Sequence, residues 1–298
     1  MITQAYQDHP ELSRRRLCRL FEVSRSWSYA CPRAEERAAG DVALRAAIEA
    51  LVLEFPGYGY GYGYGYRRVT HALARAGRQV NHKRVLRVMR EEALLCQLKR
   101  HFVVTTDSRH GRPIYPTRLA EAVLDGLNQA WVADITYIRW PTTFVYLACV
   151  LDAFARRCVG WKLSRQIDSR LTLAALERAL TQRQPVPGLI HHSDRGVPYA
   201  SADDVARLEQ IGARLSMSAT GTPDDNAKAA SFFKTLKHEE VYLNAYQTCA
   251  EAEAHIGQFL DAVYTLKRLH SRLGYLPPAA FEAAYSMPMP EVTWPLGR

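Results

Sequence analysis

No two of the six cysteines in this 298-residue chain form a C-x-x-C pair, and their spacing shows no regular framework. Cys18, Cys31, Cys96, Cys149, Cys158 and Cys249 are scattered, which argues against zinc ligation and against a disulfide scaffold. They are expected to be reduced, packed thiols. Long apolar runs are also missing: FVYLACVLDAFA is interrupted by Asp152 and is too short to span a bilayer. The opening stretch MITQAYQDHPELSRRR has no apolar signal core, so a cytoplasmic protein without a membrane partner is expected. The composition, 48% hydrophobic and 23% charged, is that of a soluble globular chain. Its length allows one sizeable core plus a smaller domain.

Acidic residues are scarce in one part of the chain only. Residues 1–118 carry 21 Lys and Arg against 11 Asp and Glu, and residues 119–298 carry 18 against 19. The net charge of +9 therefore belongs to the first part. A basic segment joined to a near-neutral one suggests a module that binds a polyanion and another that acts on it, with nucleic acid the leading candidate. The plainer alternative is a solvated basic surface.

Helical periodicity dominates the basic part. Leu17, Leu20, Phe21 and Val23 share a helical rhythm over residues 13–30, and Ser24 is a candidate cap for a second short helix. VALRAAIEALVLE at 42–54 is amphipathic. RRVTHALARAG ends in the helix-stopping Gly77, and NHKRVLRVMREEALL begins at the N-cap Asn81. Arg67, Arg68, Lys83, Arg84 and Arg87 stud these helices and are the candidate DNA contacts, in helix-turn-helix-like fashion; the alternative is an ordinary helical bundle. The alternating Gly-Tyr run at 57–66 allows a strand, a base-stacking loop or an expanded repeat without a dedicated role. The resulting division is an N-terminal helical segment at 1–32, a DNA-binding domain at 42–105, a linker at 106–119, a core at 120–285 and a tail at 286–298.

Strand-like runs open the core at 130–138, 144–151 and 158–163. A helix over 169–184, a strand at 189–192, a helix at 201–211, a strand at 214–218 and helices at 226–242 and about 250–270 follow. An antiparallel start followed by crossovers to parallel strands matches an α/β, ribonuclease H-like fold with a mixed five-stranded sheet and flanking helices. Asp134 interrupts the first apolar run, where an ionised carboxylate is costly without a cation or hydrogen bonds. Asp194 follows LIHH at a strand's C-terminal end, where open sheets gather ligands. In that fold the two strands are neighbours. Convergent carboxylates suit hard divalent cations and phosphodiester chemistry; an isolated aspartate would more simply cap a turn or pair with an arginine.

WVADITYI, FVYLACVLDAFARRCVGW, IHHSDRGVPYAS, GTPDDNAKAASFFKTLKHEEV and RLHSRLGYLPP, in that order, resemble the OrfB-type transposases of bacterial insertion sequences, relatives of retroviral integrases. The N-terminal stretches RRRLCRLFEVSRSW, YGYRRVTHAL and VNHKRVLRVMREEALL are similar to the same family, so the likeness covers nearly the whole chain. It implies a DNA transposase/integrase that hydrolyses and transfers phosphodiesters with two Mg²⁺ ions, with Mn²⁺ as a substitute. It further implies multimers on paired DNA ends and, in many relatives, fusion to a small upstream helix-turn-helix protein.

The resemblance assigns metal binding to Asp134 and Asp194 and a glutamate to position 230, which here is Ala230 within Asn226-Ala227-Lys228-Ala229-Ala230-Ser231-Phe232-Phe233. Thr222 and Asp224 also depart from the family pattern. Glu239 lies about 180° around the helix and about 13 Å along it from position 230, so it cannot substitute. Alanine favours the helix, so the fold is spared while a ligand is lost. Lys237 returns to the face of Ala230 and matches a family lysine that contacts DNA; Lys234, one turn earlier, is a further DNA-contact candidate. His192, Arg195 and Asn226 are candidates for positioning, with His191 and His192 equally readable as packed residues. Impaired catalysis with retained DNA binding is expected. The alternative is a non-catalytic protein that occupies element ends or inhibits active multimers.

Overall fold

The computed structural model describes residues 5, 8–9, 11–55, 65–94, 113–140, 143–219 and 226–286, without the side chains of 14 and 26–40. The Gly-Tyr run over 57–64, the linker up to residue 112, Thr222, Asp224, Asp225 and the tail from 287 lie outside the described residues. The chain divides into two compact units, Met1–Leu98 and Lys99–Arg298.

The first unit is helical. Ser13 accepts the Arg16 N–H at the start of α1 (Arg14–Leu20), and α2 follows at Arg25–Glu54. Two short helices separated near residues 33–41 were expected; the structure runs one helix through, because RAEERAA is rich in strong helix formers. Helix α3 (Gly65–Arg75) stops at Gly77, whose φ of +79° closes the turn as the Arg78 N–H reaches the Leu73 carbonyl at 2.8 Å. Asn81 caps α4 (His82–Glu91) through the Lys83 N–H at 2.9 Å. Leu44, Ile48, Val69, Leu73, Val85 and Met89 form the buried interior.

The second unit is a five-stranded sheet in the order β3-β2-β1-β4-β5. Strands β1 (Ala130–Arg139), β2 (Phe144–Asp152) and β3 (Cys158–Ser164) form an antiparallel meander. Helix α5 (Ser169–Arg183) crosses to β4 (Ile190–Ser193), and α6 (Ala202–Gln210) crosses to β5 (Arg214–Met217), both new strands running parallel to their neighbours. Helix α7 (Ala227–Glu239), α8 (Cys249–Gln258), a π-helical segment (Phe259–Tyr264) and α9 (Pro278–Ser286) complete the unit.

The period of two in each strand divides the core into two layers. Ala130, Val132, Leu147 and Leu151 face Phe232, Leu236, Ile256 and Phe259 on one side. Trp131, Ala133, Ala148 and Val150 face Leu171, Ala175, Leu176 and Ala179 on the other. Three expectations differ from what is observed. The helix expected to reach residue 242 ends at Glu239 and continues as a 3₁₀ turn, Val241–Leu243. Helix α9 was not anticipated; Glu282 anchors it between Arg157, at 2.6 Å, and Arg183. Residues 113–119, expected to be linker, include Thr117 and Arg118, which hydrogen-bond Met217 and Ser216 along β5 at 2.7 and 2.8 Å.

Candidate active site and nucleic-acid contacts

Strand register builds the site. Val132 of β1 pairs with His192 of β4, so Asp134 and Asp194, each two residues further on, lie side by side where the parallel pair ends. Both carboxylates and Ala230 line one cleft of about 800 Å³, whose walls include Thr136, Tyr199, Asp203 and Phe233. The Ile135 N–H donates to Asp134 Oδ1 at 2.8 Å, and the Gly196 N–H donates to Asp194 Oδ1 at 2.9 Å. Burial, with the Asp194 charge pushing the same way, raises Asp134 to about 8; the Ile135 N–H and the Lys237 ammonium partly offset this. A carboxylate made this costly to ionise is one that a cation would stabilise.

The surrounding oxygens fit a hard divalent cation. Among the described residues the Tyr199 hydroxyl and Asn226 Oδ1 are buried without a hydrogen-bond partner, Asn226 sitting at the head of α7 with Nδ2 3.5 Å from the Ala133 carbonyl. Burial and the two nearby carboxylates raise Tyr199, which keeps its proton. Asp168 and Asp203 also line the cleft, Asp168 capping α5 through the Leu171 N–H at 3.2 Å. Among the described residues no group of three His, Cys, Asp or Glu is arranged to hold a metal.

Ala230 is exposed within the cleft, while its neighbour Ala229 is fully buried. The two glutamates at the end of α7 are engaged elsewhere. Arg268 holds Glu239 in a buried bidentate pair at 2.8 and 2.9 Å, and Glu240 accepts from Tyr246 and Asn244. Lys237 is partly buried near Asp134; burial lowers its pKa and the Asp134 charge counters that. Lys234 is exposed one turn earlier.

The positioning candidates separate. His192 does not line the cleft: it is fully buried and links β4 to β5 through Ser216 Oγ at 2.9 Å and Ser218 Oγ at 3.1 Å. His191 is packed on the opposite face, and burial, followed by its neighbour His192, depresses it to about 4. Arg195 donates from Nε to the Ser218 carbonyl at 2.8 Å. Tyr199 is the site residue that sequence reasoning misses, although its place five residues after Asp194, within the same motif, is a usable signal.

In the helical unit, Arg84 and Arg87 both engage the buried Asp41 of α2, Arg84 at 2.7 Å, and Arg87 also pairs with Glu91 at 2.8 Å. Desolvation raises the Asp41 pKa, but hydrogen bonds and charge from the two guanidinium groups outweigh it and hold the carboxyl below its usual range. These two arginines therefore brace α4 against α2. Lys83 and Arg67 are exposed, the Arg67 guanidinium lying 5.9 Å from the Tyr66 ring centre, and Arg68 is half-buried.

A mixed sheet of this order, with two acidic residues at the ends of its central parallel pair and a separate helical unit, defines a ribonuclease H-like integrase core joined to a helix-turn-helix-like domain. Family models agree: an integrase core domain matches residues 125–223 and again 211–278, and an HTH-like domain matches 40–102. The Insertion element IS600 uncharacterized 31 kDa protein of Shigella sonnei is 36% identical over 272 residues, covering 90% of this chain and 98% of that protein. The Transposase InsF for insertion sequence IS3A of Escherichia coli (strain K12) is 33% identical over 273 residues, covering 91% and 94%. The HTLV-2 integrase catalytic core domain in complex with magnesium aligns over 52% of this chain and 95% of its own, with a TM-score of 0.40 and 13% identity. The chain belongs to the OrfB-type DDE transposases of bacterial insertion sequences. No helix among the described residues is long and apolar enough to cross a membrane.

Proposed function

We propose that this chain is an insertion-sequence transposase that binds DNA but carries a polynucleotidyl-transferase site weakened by Ala230. The observation that carries this reading is the cleft itself: Asp134, Asp194 and Ala230 line it together, and Glu239 and Glu240 are held by other partners. Asp134 and Asp194 would hold Mg²⁺ or Mn²⁺, with the Asn226 carbonyl oxygen as a neutral neighbour. A divalent cation bound there would polarise phosphoryl oxygens and lower the pKa of an attacking water or 3′-hydroxyl.

The protein's own groups supply positioning. Lys237 sets a positive charge beside Asp134, suited to a phosphate next to the scissile one, and Lys234 extends that track along the exposed face of α7. The Tyr199 hydroxyl offers a proton donor near both carboxylates. In the helical unit, residues 42–105 form the DNA-binding domain, with the exposed Arg67 and Lys83 and the half-buried Arg68 as DNA contacts alongside the bracing Arg84 and Arg87. Residues 120–285 form the catalytic core, and assembly as a homo-multimer on paired element ends follows the family pattern.

Ala230 also favours a second reading, a protein that occupies element ends without cutting them. Both readings predict DNA binding whose affinity falls steeply with salt. They separate on slow Mg²⁺- or Mn²⁺-dependent nicking of terminal DNA, which an impaired transposase retains and an end-occupying protein lacks. Robust nicking by the purified chain would overturn both, since it requires a complete ligand set.

A further inference from the structure

Asp194 and Tyr199 stand on one braced turn. The Gly196 N–H donates to Asp194 Oδ1 at 2.9 Å, and the Tyr199 N–H donates to the Gly196 carbonyl at 3.1 Å. The 3₁₀ turn Val197–Ala200 then carries the chain on to Ser201, the cap of α6. A Cβ at Gly196 would lie 2.9 Å from Asp194 Oδ1, so a larger residue there would displace the carboxylate. The Tyr199 side chain packs in the core layer that holds Trp131, Ala133 and Leu171, and it lines the same cleft as Asp134 and Asp194.

The hydroxyl is the unused group of this turn. Tyr199 is 6% exposed, and among the described residues nothing pairs with its buried hydroxyl. Burial, with the charges of Asp134 and then Asp194 acting in the same direction, keeps it protonated and able to donate. A buried hydroxyl with no acceptor destabilises its fold, and phenylalanine would fill the same space without that cost. An acceptor brought into the cleft removes the cost. Carboxylates that hold a divalent cation, and the water such a cation carries, are acceptors of the required kind, and hydrogen bonds to them orient the ligands.

We propose that Tyr199 is a positioning residue whose hydroxyl donates to an oxygen in the ligand shell of a divalent cation held by Asp134 and Asp194. It acts through those oxygens and does not touch the phosphodiester. The proposal rests on the transposase reading and deepens it: the hydroxyl is unfavourable in the cation-free chain and favourable in the loaded one, so its removal has opposite effects on the two.

Tyr199→Phe in the full chain separates this role from packing. Mn²⁺ binding is followed by the electron paramagnetic resonance of free Mn²⁺, counting as cleft-bound the fraction that Asp134→Asn loses, and melting is followed in EDTA and in Mn²⁺. In EDTA the Tyr199→Phe chain is expected to melt no lower than the parent. In Mn²⁺ it should bind the ion about tenfold more weakly and gain correspondingly less melting temperature than the parent. A side chain that only packs would leave the affinity unchanged, and equal affinity overturns the proposal. A lower melting temperature in EDTA also overturns it, since the hydroxyl would then have its partner within the fold. Where the chain as it stands binds Mn²⁺ below the measurable range, the same comparison in the Ala230→Glu background decides. Absence of cleft-bound Mn²⁺ in both backgrounds removes the metal-dependent transposase reading and this proposal together, whereas cleft binding that Tyr199→Phe leaves unchanged removes the proposal alone.

Discussion

On the proposed reading, the methyl side chain of Ala230 stands where a third acidic ligand would enter the cleft beside Asp134 and Asp194. Glu239 is the closest carboxylate along the helix, yet it is paired with Arg268, both side chains at most 5% exposed. That pair holds α7 to the segment after the π-helical turn. Glu239→Ala would leave Arg268 buried and uncompensated, and is expected to lower unfolding free energy by about 3 to 5 kcal/mol in urea titration; an unchanged midpoint would show that Arg268 finds water or another partner. His191 gives a pH signature. Its folded pKa of about 4 lies below the ordinary 6.5, so it is neutral in both states above pH 6.5. Below that, the unfolded chain takes up a proton that the folded one refuses. This contribution to stability is therefore lost as pH falls from 6.5 toward 4, up to about 3 kcal/mol. His191→Gln should flatten that part of the stability profile, as read from urea midpoints at pH 7.5 and pH 5. An equally steep fall in the variant would assign the acid sensitivity to other groups.

Among the elements, the packing of α5 on β3 is the least tolerant of change. A Cβ built at Gly160 would stand 2.2 Å from the Ala175 carbonyl oxygen and 2.7 Å from the Ala179 nitrogen, so the helix backbone lies directly on the strand. Gly160→Ala must push α5 outward and is expected to cost about 1 to 3 kcal/mol, seen as a lower melting temperature. No loss would mean that the helix shifts freely. Legibility in the sequence follows the same physics. Strands β1 to β3 and helix α5 are readable because their apolar periods and short polar connections are local properties. The two acidic positions are readable because each interrupts or follows an apolar strand. The continuity of α2 is obscured by Gly40 just before the amphipathic run. Helix α9 escapes the sequence because a tertiary anchor, Glu282 between Arg157 and Arg183, helps hold it in place. The bracing role of Arg84 and Arg87 is likewise invisible there, since Asp41 stands more than forty residues away in sequence.

For the molecule as a whole, the charge imbalance and the two-unit division describe the same organisation. The basic excess lies in residues 1–118, ahead of a near-neutral core in which Lys228, Lys234 and Lys237 lie on α7. Periodicity and charge alone are compatible with a helical bundle beside an α/β core; the ordered motifs bring the family into view, and insertion-sequence relatives spanning about nine-tenths of the chain, InsF among them, establish it. The strand register then brings Asp134, Asp194 and Ala230 to one cleft. The most direct test is Mg²⁺- and Mn²⁺-dependent cleavage of the element's terminal DNA, comparing the chain as it stands with its Ala230→Glu form. Weak or absent cleavage is predicted for the former, with a gain of at least about a hundredfold on restoring the carboxylate. Equal, robust cleavage by both would contradict the assignment of Ala230 as the missing ligand, because another group would then be serving as the third.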